Sequence, residues 1–499
     1  MQSIIQRIKQ SARRLGITDA GPLVILVLFL LLLPLATPRI YATDEVQYYV
    51  YLRSLRFDGD LNFENDYRRF AELNPRSGIE GSLLQPDRIR QATGLYGNIA
   101  PVGSAIMWAP FFLLADLGVH LARAVGVGVE ADGYSTPYIL AVCYASALYG
   151  LFGLLLSYRL VRQYTGVFAA TLAVVTIWLA TPLVFYMYVQ MPFAHATGFF
   201  LTTLFLTIWH ATRSRRSLRA WGALGLVGAL MTITREQLGL FLLIPALEAL
   251  REYWLLLRNR PRLPPIRALF GHHLLFLSLF VIGLLPQLAA YQILNGEPRP
   301  AGEVSGKLNF CSPHFIDTLI DYDPRPSNWC VPAEEAVART PAWSRGAFLW
   351  SPVLLPALVG LAWLWRRDAG LAGALLLGFL AQTYINGAFG TTWHLTGAFG
   401  FRRLIECTPI FVVGLALLIE RSGLRFGRGV PLVVALLLIG WNAGLVLNAT
   451  IFNGETGLRR GLSWPDLFRW QIEAPLKAAG KIGEILFDRC RFLENARCE

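Results

Sequence analysis

Ionisable side chains are scarce in this sequence, and several stand in pairs at the ends of long apolar runs, where a charge can be both solvated and used. The first pair is Asp44-Glu45, in Thr43-Asp44-Glu45-Val46-Gln47-Tyr48-Tyr49, a few residues beyond the apolar run Pro22–Leu35 and Pro38-Arg39. An Asp-Glu pair at the exit of a helix is most often a solvated face. Here an amphipathic stretch, Tyr48–Phe57, follows and would hold the pair at headgroup depth. A carboxylate fixed there suits taking the proton of an acceptor hydroxyl beside a lipid-linked donor, which makes Asp44 and Glu45 the first catalytic candidates. Asp58-Gly59-Asp60 follows, with the spacing by which oxygen ligands hold Mg²⁺ or Mn²⁺ and equally that of an ordinary turn, the commoner use. Whether any cofactor is needed stays open; these two aspartates are the candidates for a divalent cation.

Further along, Gln190-Met191-Pro192-Phe193-Ala194-His195 brings a histidine to the start of an apolar run. A lone histidine is usually structural, but His195 belongs to the same boundary as Asp44 and joins the catalytic candidates. Arg235-Glu236 stands between two apolar runs with almost no loop, either as a snorkelling pair or as an arginine set for a phosphate in the interface. The last cluster is His394, Arg402, Arg403 and Glu406. Its arginines fall on the side of the membrane where basic residues are rare, and binding an anionic headgroup is a reason to keep them there. Arg235, Arg402, Arg403 and His394 are therefore the candidates for holding a donor phosphate.

The elements that must position these residues are transmembrane helices. Of 499 residues, 54% are hydrophobic and 16% charged, which excludes an ordinary soluble domain. The net charge of +12 comes from short arginine clusters between apolar blocks, without the basic stripe and interleaved aromatics of a nucleic-acid surface. Arg7, Lys9, Arg13 and Arg14 place the N-terminus in the cytoplasm, and Pro22–Ala36 reads as a retained first helix, since Tyr41-Ala42 is a poor cleavage site. Ala100–Ala122 is apolar enough for a span, yet contains Pro101, Pro110, Asp116 and His120. Counting it as a crossing would turn Arg159/Arg162 and Arg213–Arg219 outward. Laid in the interface instead, it leaves spans near Tyr138–Tyr158, Val167–Val189, Ala194–Thr212, Leu218–Thr234, Gln237–Leu250, Leu274–Leu294, Ala347–Trp365, Leu371–Tyr384, Ile405–Ile419 and Val430–Leu447. Every basic connector is then cytoplasmic, and the chain crosses about eleven times.

This reading makes residues 1–452 one all-α polytopic membrane domain whose first outer loop is 39–134, and 453–499 an outer, partly amphipathic tail. Cys311, Cys330, Cys490 and Cys498 fall in outer segments, where they can pair in an oxidising compartment; 311 with 330 and 490 with 498 is the simplest connectivity, and crossed pairing stays open. Cys143 and Cys407 lie in spans as core thiols.

An Asp-Glu pair just after the first helix, a long first outer loop with juxtamembrane helices, a short second outer turn leading a polar residue into the fourth span, and many further helices together resemble the class C glycosyltransferases (GT-C fold). Within that class the chain looks most like bacterial relatives of the protein O-mannosyltransferases and lipid A aminoarabinose transferases. Tyr96-Gly97-Asn98-Ile99-Ala100-Pro101-Val102-Gly103 resembles the start of their juxtamembrane helix, and Gly346-Ala347-Phe348-Leu349-Trp350-Ser351-Pro352 and Gly397–Pro409 look like stretches of that group. The resemblance implies a GT-C-like bundle, a polyprenyl-phosphate-linked sugar as donor, and Asp44 as catalytic base or acceptor-orienting carboxylate. It implies transfer with inversion to a glycan, lipid or protein hydroxyl on the periplasmic face of the bacterial inner membrane. The chain departs from the pattern at the second outer turn, where relatives often carry an acid and this sequence offers Gln190 and His195. A lipid-linked-sugar flippase and a glycan ligase or polymerase are the alternatives; polar residues gathered at one membrane face, rather than in mid-span, favour chemistry over passage.

Overall fold

The structure is a computed structural model and describes residues 19–258, 265–302, 306, 308–310, 314–320, 346–389, 392–393, 395, 397–452, 458 and 464–483. Among these there is no strand, only an isolated bridge between Ile89 and Tyr96, and the chain is a bundle of helices. Among the described residues five helices are long and apolar enough to cross a membrane: Gly103–Ala124, Thr136–Val161, Ile266–Asn295, Ala369–Gly387 and Gly429–Thr450. Gly21–Leu35, Val167–Leu179 and Leu218–Thr234 are shorter and equally apolar. The protein is a multi-pass membrane protein.

Several expected spans are interrupted where the sequence carries a breaker. The run from Val167 stops at Leu179, and a separate helix, Leu183–Tyr188, begins after Pro182. The run from Ala347 divides at Ser351-Pro352 into Ala347–Trp350 and Leu354–Arg367, and Gln237 falls in a 3₁₀ turn, Glu236–Leu242, ahead of Leu243–Leu257. The segment expected to lie along the interface forms a single element. It is an unbroken 22-residue helix, Gly103–Ala124, that carries Pro110 inside it and by length and composition is a candidate span. Asp116, which had counted against a crossing, is buried inside the protein, accepting from Arg56 Nε at 2.9 Å and from the Tyr138 hydroxyl at 2.7 Å.

Small residues let the helices approach. An added Cβ on Gly360 would lie 1.9 Å from the Gly414 carbonyl oxygen, and one on Gly414 would lie 1.9 Å from that of Ala357. Backbone contact of this kind is how helices associate where hydrophobic burial gives no drive. It seats Thr408–Phe426 against Leu354–Arg367, and so fixes the 3₁₀ turn Arg402–Cys407 that leads into it.

The basic connectors meet at one end of the bundle. Arg162 Nε donates to Asp19 at 2.9 Å, Arg213 Nη1 and the Tyr164 hydroxyl to Asp368 at 2.7 and 2.6 Å, and Arg367 Nη1 to the Tyr164 carbonyl at 2.6 Å. At the other end the first outer segment folds over an aromatic layer that includes Tyr49, Tyr51, Phe63, Tyr67, Phe70 and Phe112, all fully buried. Each tyrosine hydroxyl in it finds a backbone carbonyl: Tyr49 that of Gly133, Tyr51 that of Ala100 at 3.0 Å, Tyr67 that of Gly97 at 3.3 Å. Asp66 is buried in the same layer, and desolvation raises its carboxyl pKa to about 7 against the opposing pull of Tyr134 and Arg53. Beyond the last apolar helix, Trp464–Gly480 packs back on it, with Gln471 Nε2 donating to the Trp441 carbonyl at 3.1 Å.

Candidate active site

Three separate outer segments converge because each is tied to the next. Thr37, which precedes the Thr43–Arg53 helix, donates through its N–H to the Tyr188 carbonyl at 2.7 Å and through its hydroxyl to that of Val189 at 2.9 Å. That fixes the start of the first outer segment against the second outer turn. The turn in its turn holds the late segment, since the Phe399 N–H donates to the Tyr186 hydroxyl at 3.3 Å and Phe185 stacks on Phe399 with centroids 4.2 Å apart. Gly400 completes the approach: its φ is +60°, and an added Cβ would fall 2.6 Å from Pro182. Only glycine lets the chain bend there, and the 3₁₀ turn starting at Arg402 follows at once.

Between these segments lies a cavity of about 310 Å³, at the lower end of the range for small-molecule sites. Asp44, Tyr48, His195, Arg235, Arg402 and Arg403 all line it, with Glu236 and Gln237 beside Arg235. Asp44 sits in the first turn of its helix, where the helix dipole favours the carboxylate. Its Oδ2 accepts from Arg402 Nη2 at 2.9 Å, and the guanidinium of Arg402 also lies over the Phe193 ring, 5.0 Å from its centroid. Arg403 rests over Phe389 at 4.5 Å and donates through Nη2 to the Thr392 hydroxyl at 3.1 Å. Its Nη1 is buried and has no partner among the described residues. Opposite, Arg235 Nη1 reaches the His195 ring at 3.1 Å from Nδ1 and 3.3 Å from Nε2, and its Nε is 3.1 Å from Glu406 Oε1. Glu236 is taken up by the Tyr291 hydroxyl, which donates to its Oε1. The cavity therefore brings together three guanidiniums with the carboxylates of Asp44 and Glu236.

No family model matches the chain, and no curated protein matches it. Among solved structures it is similar to ArnT from Cupriavidus metallidurans bound to undecaprenyl phosphate, with a TM-score of 0.47 and 13% identity over 95% of this chain and 77% of that one. It is also similar to the oligosaccharyltransferase of Archaeoglobus fulgidus in the apo form, with a TM-score of 0.46 and 13% identity, covering 96% of this chain and 57% of that one.

Of the candidates read from the sequence, the structure brings Asp44, His195, Arg235, Arg402 and Arg403 to the one cavity. Glu45 is elsewhere. It is buried, and its Oε2 accepts from the backbone N–H groups of Tyr41 at 2.6 Å and Ala42 at 2.9 Å, so it caps the helix that carries Asp44. That corrects its catalytic assignment: a carboxylate already accepting two backbone N–H bonds is a poor base. Asp58 and Asp60 are corrected likewise. Asp58 pairs with Arg53 and accepts from Asn65 Nδ2 at 2.9 Å, while Asp60 Oδ1 accepts from the Asn62 N–H at 3.0 Å, an Asx turn, and from the Ser54 hydroxyl at 3.1 Å; Gly59 between them closes the preceding helix at φ +75°. Among the described residues no three His, Cys, Asp or Glu side chains gather as a metal site. His394, and the cysteines Cys311, Cys330, Cys490 and Cys498, lie outside the described residues. Cys143 and Cys407 are buried free thiols. Glu406 was noted only as a neighbour of the late arginines. The structure places it instead against His195 and Arg235, which come from two other segments of the chain.

Proposed function

We propose that this chain is a membrane glycosyltransferase of the GT-C kind. It moves a sugar from a polyprenyl-phosphate donor to an acceptor hydroxyl at the periplasmic face of the bacterial inner membrane, with inversion at the anomeric carbon. The observation that carries the reading is the Asp44–Arg402 pair, flanked by Arg403 and Arg235, at the rim of a cavity sized for a small molecule. Charge supports an anionic link. Arg402 pairs with Asp44 and Arg235 with Glu406, whereas Arg403 has no carboxylate partner among the described residues and its buried Nη1 is open to an anion. A sugar phosphodiester supplies one such anion.

The reaction then runs as a transfer of charge across the site. The acceptor oxygen bonds to the anomeric carbon and gives its proton to Asp44 Oδ, while the anomeric carbon–oxygen bond breaks with its electron pair going to the phosphate oxygen. One negative charge leaves Asp44 and one appears on the departing polyprenyl phosphate. Arg402, hydrogen-bonded to the first, is the cation released as the second develops, and Arg403 and Arg235 hold the phosphate from the other sides. The protein's share is orientation and electrostatics, since a phosphate with compensated charge is a good leaving group. Acceptor attack from the Asp44 side, opposite the phosphate, gives inversion.

The test is purified protein in proteoliposomes given a synthetic polyprenyl-phosphate sugar labelled in the sugar. The reading expects label in a new, lipid-phosphate-free product and release of polyprenyl phosphate. Label that stays on the donor while the donor changes leaflet would show a flippase and overturn it.

A further inference from the structure

Behind the cavity wall, Glu406 occupies a place that the transfer itself does not use. Its side chain is fully enclosed, and Oε1 lies 3.0 Å from His195 Nδ1 and 3.1 Å from Arg235 Nε, an ion-pair contact to the arginine rather than an aligned hydrogen bond. Oε2 is buried with no partner among the described residues. A buried carboxylate with one oxygen unpaired is costly, on the order of 1–3 kcal/mol or more, so packing alone does not explain it. The fold also makes room for it: Gly198, one helical turn past His195, would bring an added Cβ to 3.1 Å from Glu406 Cγ and 3.4 Å from Oε1. His195 Nδ1 lies 3.0 Å from Glu406 Oε1, and Arg235 Nη1 lies against the same ring, 3.1 Å from Nδ1 and 3.3 Å from Nε2. His195 and Glu406 thus grip one guanidinium from two sides. Arg235 itself closes the Leu218–Thr234 helix in an extended conformation, φ −153°, ψ 116°, with no helix to hold its side chain.

We infer that Glu406, acting through His195, is the positioning residue that aims Arg235 at the donor phosphate and tempers its charge, and that His195 is part of this grip rather than a proton acceptor in the reaction. The inference rests on the glycosyltransferase reading above. Its signature is a split between binding and turnover. With Glu406 neutral, the guanidinium of Arg235 is less compensated and draws an anionic lipid more strongly, but it no longer holds the geometry that matters as the phosphate departs. A misplacement of about 1 Å costs on the order of 10²-fold in rate.

Five purified proteins, parent, Glu406→Gln, Glu406→Asp, His195→Asn and His195→Ala, are compared in nanodiscs for binding of synthetic polyprenyl phosphate and for transfer from the corresponding sugar donor. Glu406→Gln is expected to bind polyprenyl phosphate several-fold more tightly while kcat falls by on the order of 10²-fold. Glu406→Asp, which keeps the charge but retracts it by a methylene, should recover part of the loss. His195→Asn, whose amide can replace the ring's contact to Glu406, should lose less than His195→Ala. Binding and kcat both unchanged in Glu406→Gln, or both reduced together with the melting midpoint, would overturn the positioning role. A parent that neither binds polyprenyl phosphate nor transfers sugar overturns the glycosyltransferase reading, and this inference with it.

Discussion

Removing Arg402 separates a structural arginine from one that works in the reaction. The Arg402 and Asp44 side chains meet at 2.9 Å while 21% and 38% exposed, so breaking their ion pair should cost the fold no more than about 1 kcal/mol. The cost to transfer is larger. As the acceptor proton reaches Asp44, a negative charge vanishes there and reappears on the leaving phosphate, and Arg402 is the cation already seated beside the first of these positions. Loss of one preorganised group facing a developing anion costs about 2.7–4 kcal/mol, or 10²–10³ in kcat. Arg402→Ala is therefore expected to lower single-turnover transfer by that factor with little change in melting midpoint. Arg402→Lys, which keeps the charge but not the two-pronged geometry, should fall between. Because the arginine acts together with the carboxylate, Asp44→Asn combined with Arg402→Ala should cost less than the product of the two single losses, by a coupling of about 0.5–3 kcal/mol. Single-turnover rates on a synthetic polyprenyl-phosphate sugar measure all three. An Arg402→Ala protein that transfers at the parental rate, or costs that multiply without coupling, would refute the charge-transfer argument.

Other parts of the account are open to simpler checks. Asp66, with its carboxyl pKa raised to about 7, favours its neutral form in the fold, so its contribution is complete below about pH 3.8 and is lost as pH rises towards 7. Asp66→Asn should flatten the decline of the melting midpoint over that window, and parallel curves for parent and variant would remove the argument. Gly414→Val forces a side chain into backbone already touching Ala357 and should destabilise by at least the 1–3 kcal/mol typical of overpacking, read as detergent-resistant folded fraction. Asp58→Asn, which loses the contacts to Arg53 and Asn65, should leave the transfer rate where it was; a loss reversed by added Mg²⁺ or Mn²⁺ would show a cation held by these aspartates. A cysteine placed at Ser217 should react with impermeant reagents only after the cytoplasmic face is opened, and labelling in intact cells would invert the proposed orientation.

The helices were legible because apolar runs of span length have few other uses, and the charge alternation was legible because the basic connectors do gather at one end, through Arg162–Asp19 and Arg213–Asp368. Helix breaks at Pro182 and Ser351-Pro352 were written in the sequence but outweighed by hydropathy averaged over long windows. What holds Asp116 of Gly103–Ala124 could not be read, because its partners Arg56 and Tyr138 come from segments far from it in the chain. The same limit applies at the site. That Asp44 and Arg402 belong at the same end of the bundle could be read from spacing and charge. That they touch across a separation of 358 residues could not, and neither could the difference between Asp44 and Glu45, which rests on which of two adjacent side chains turns back to cap its own helix.

The central claim is that Asp44 takes the acceptor's proton while a polyprenyl phosphate departs, and transfer by the Asp44→Asn protein tests it most directly. Purified parent and variant, matched for folded fraction and for binding of synthetic polyprenyl phosphate, are given the same sugar donor and acceptor. The account predicts that the variant still binds and that its transfer rate falls by about 10²–10⁴, the usual cost of losing a general base. Transfer at near the parental rate by a folded, lipid-binding Asp44→Asn protein would contradict it.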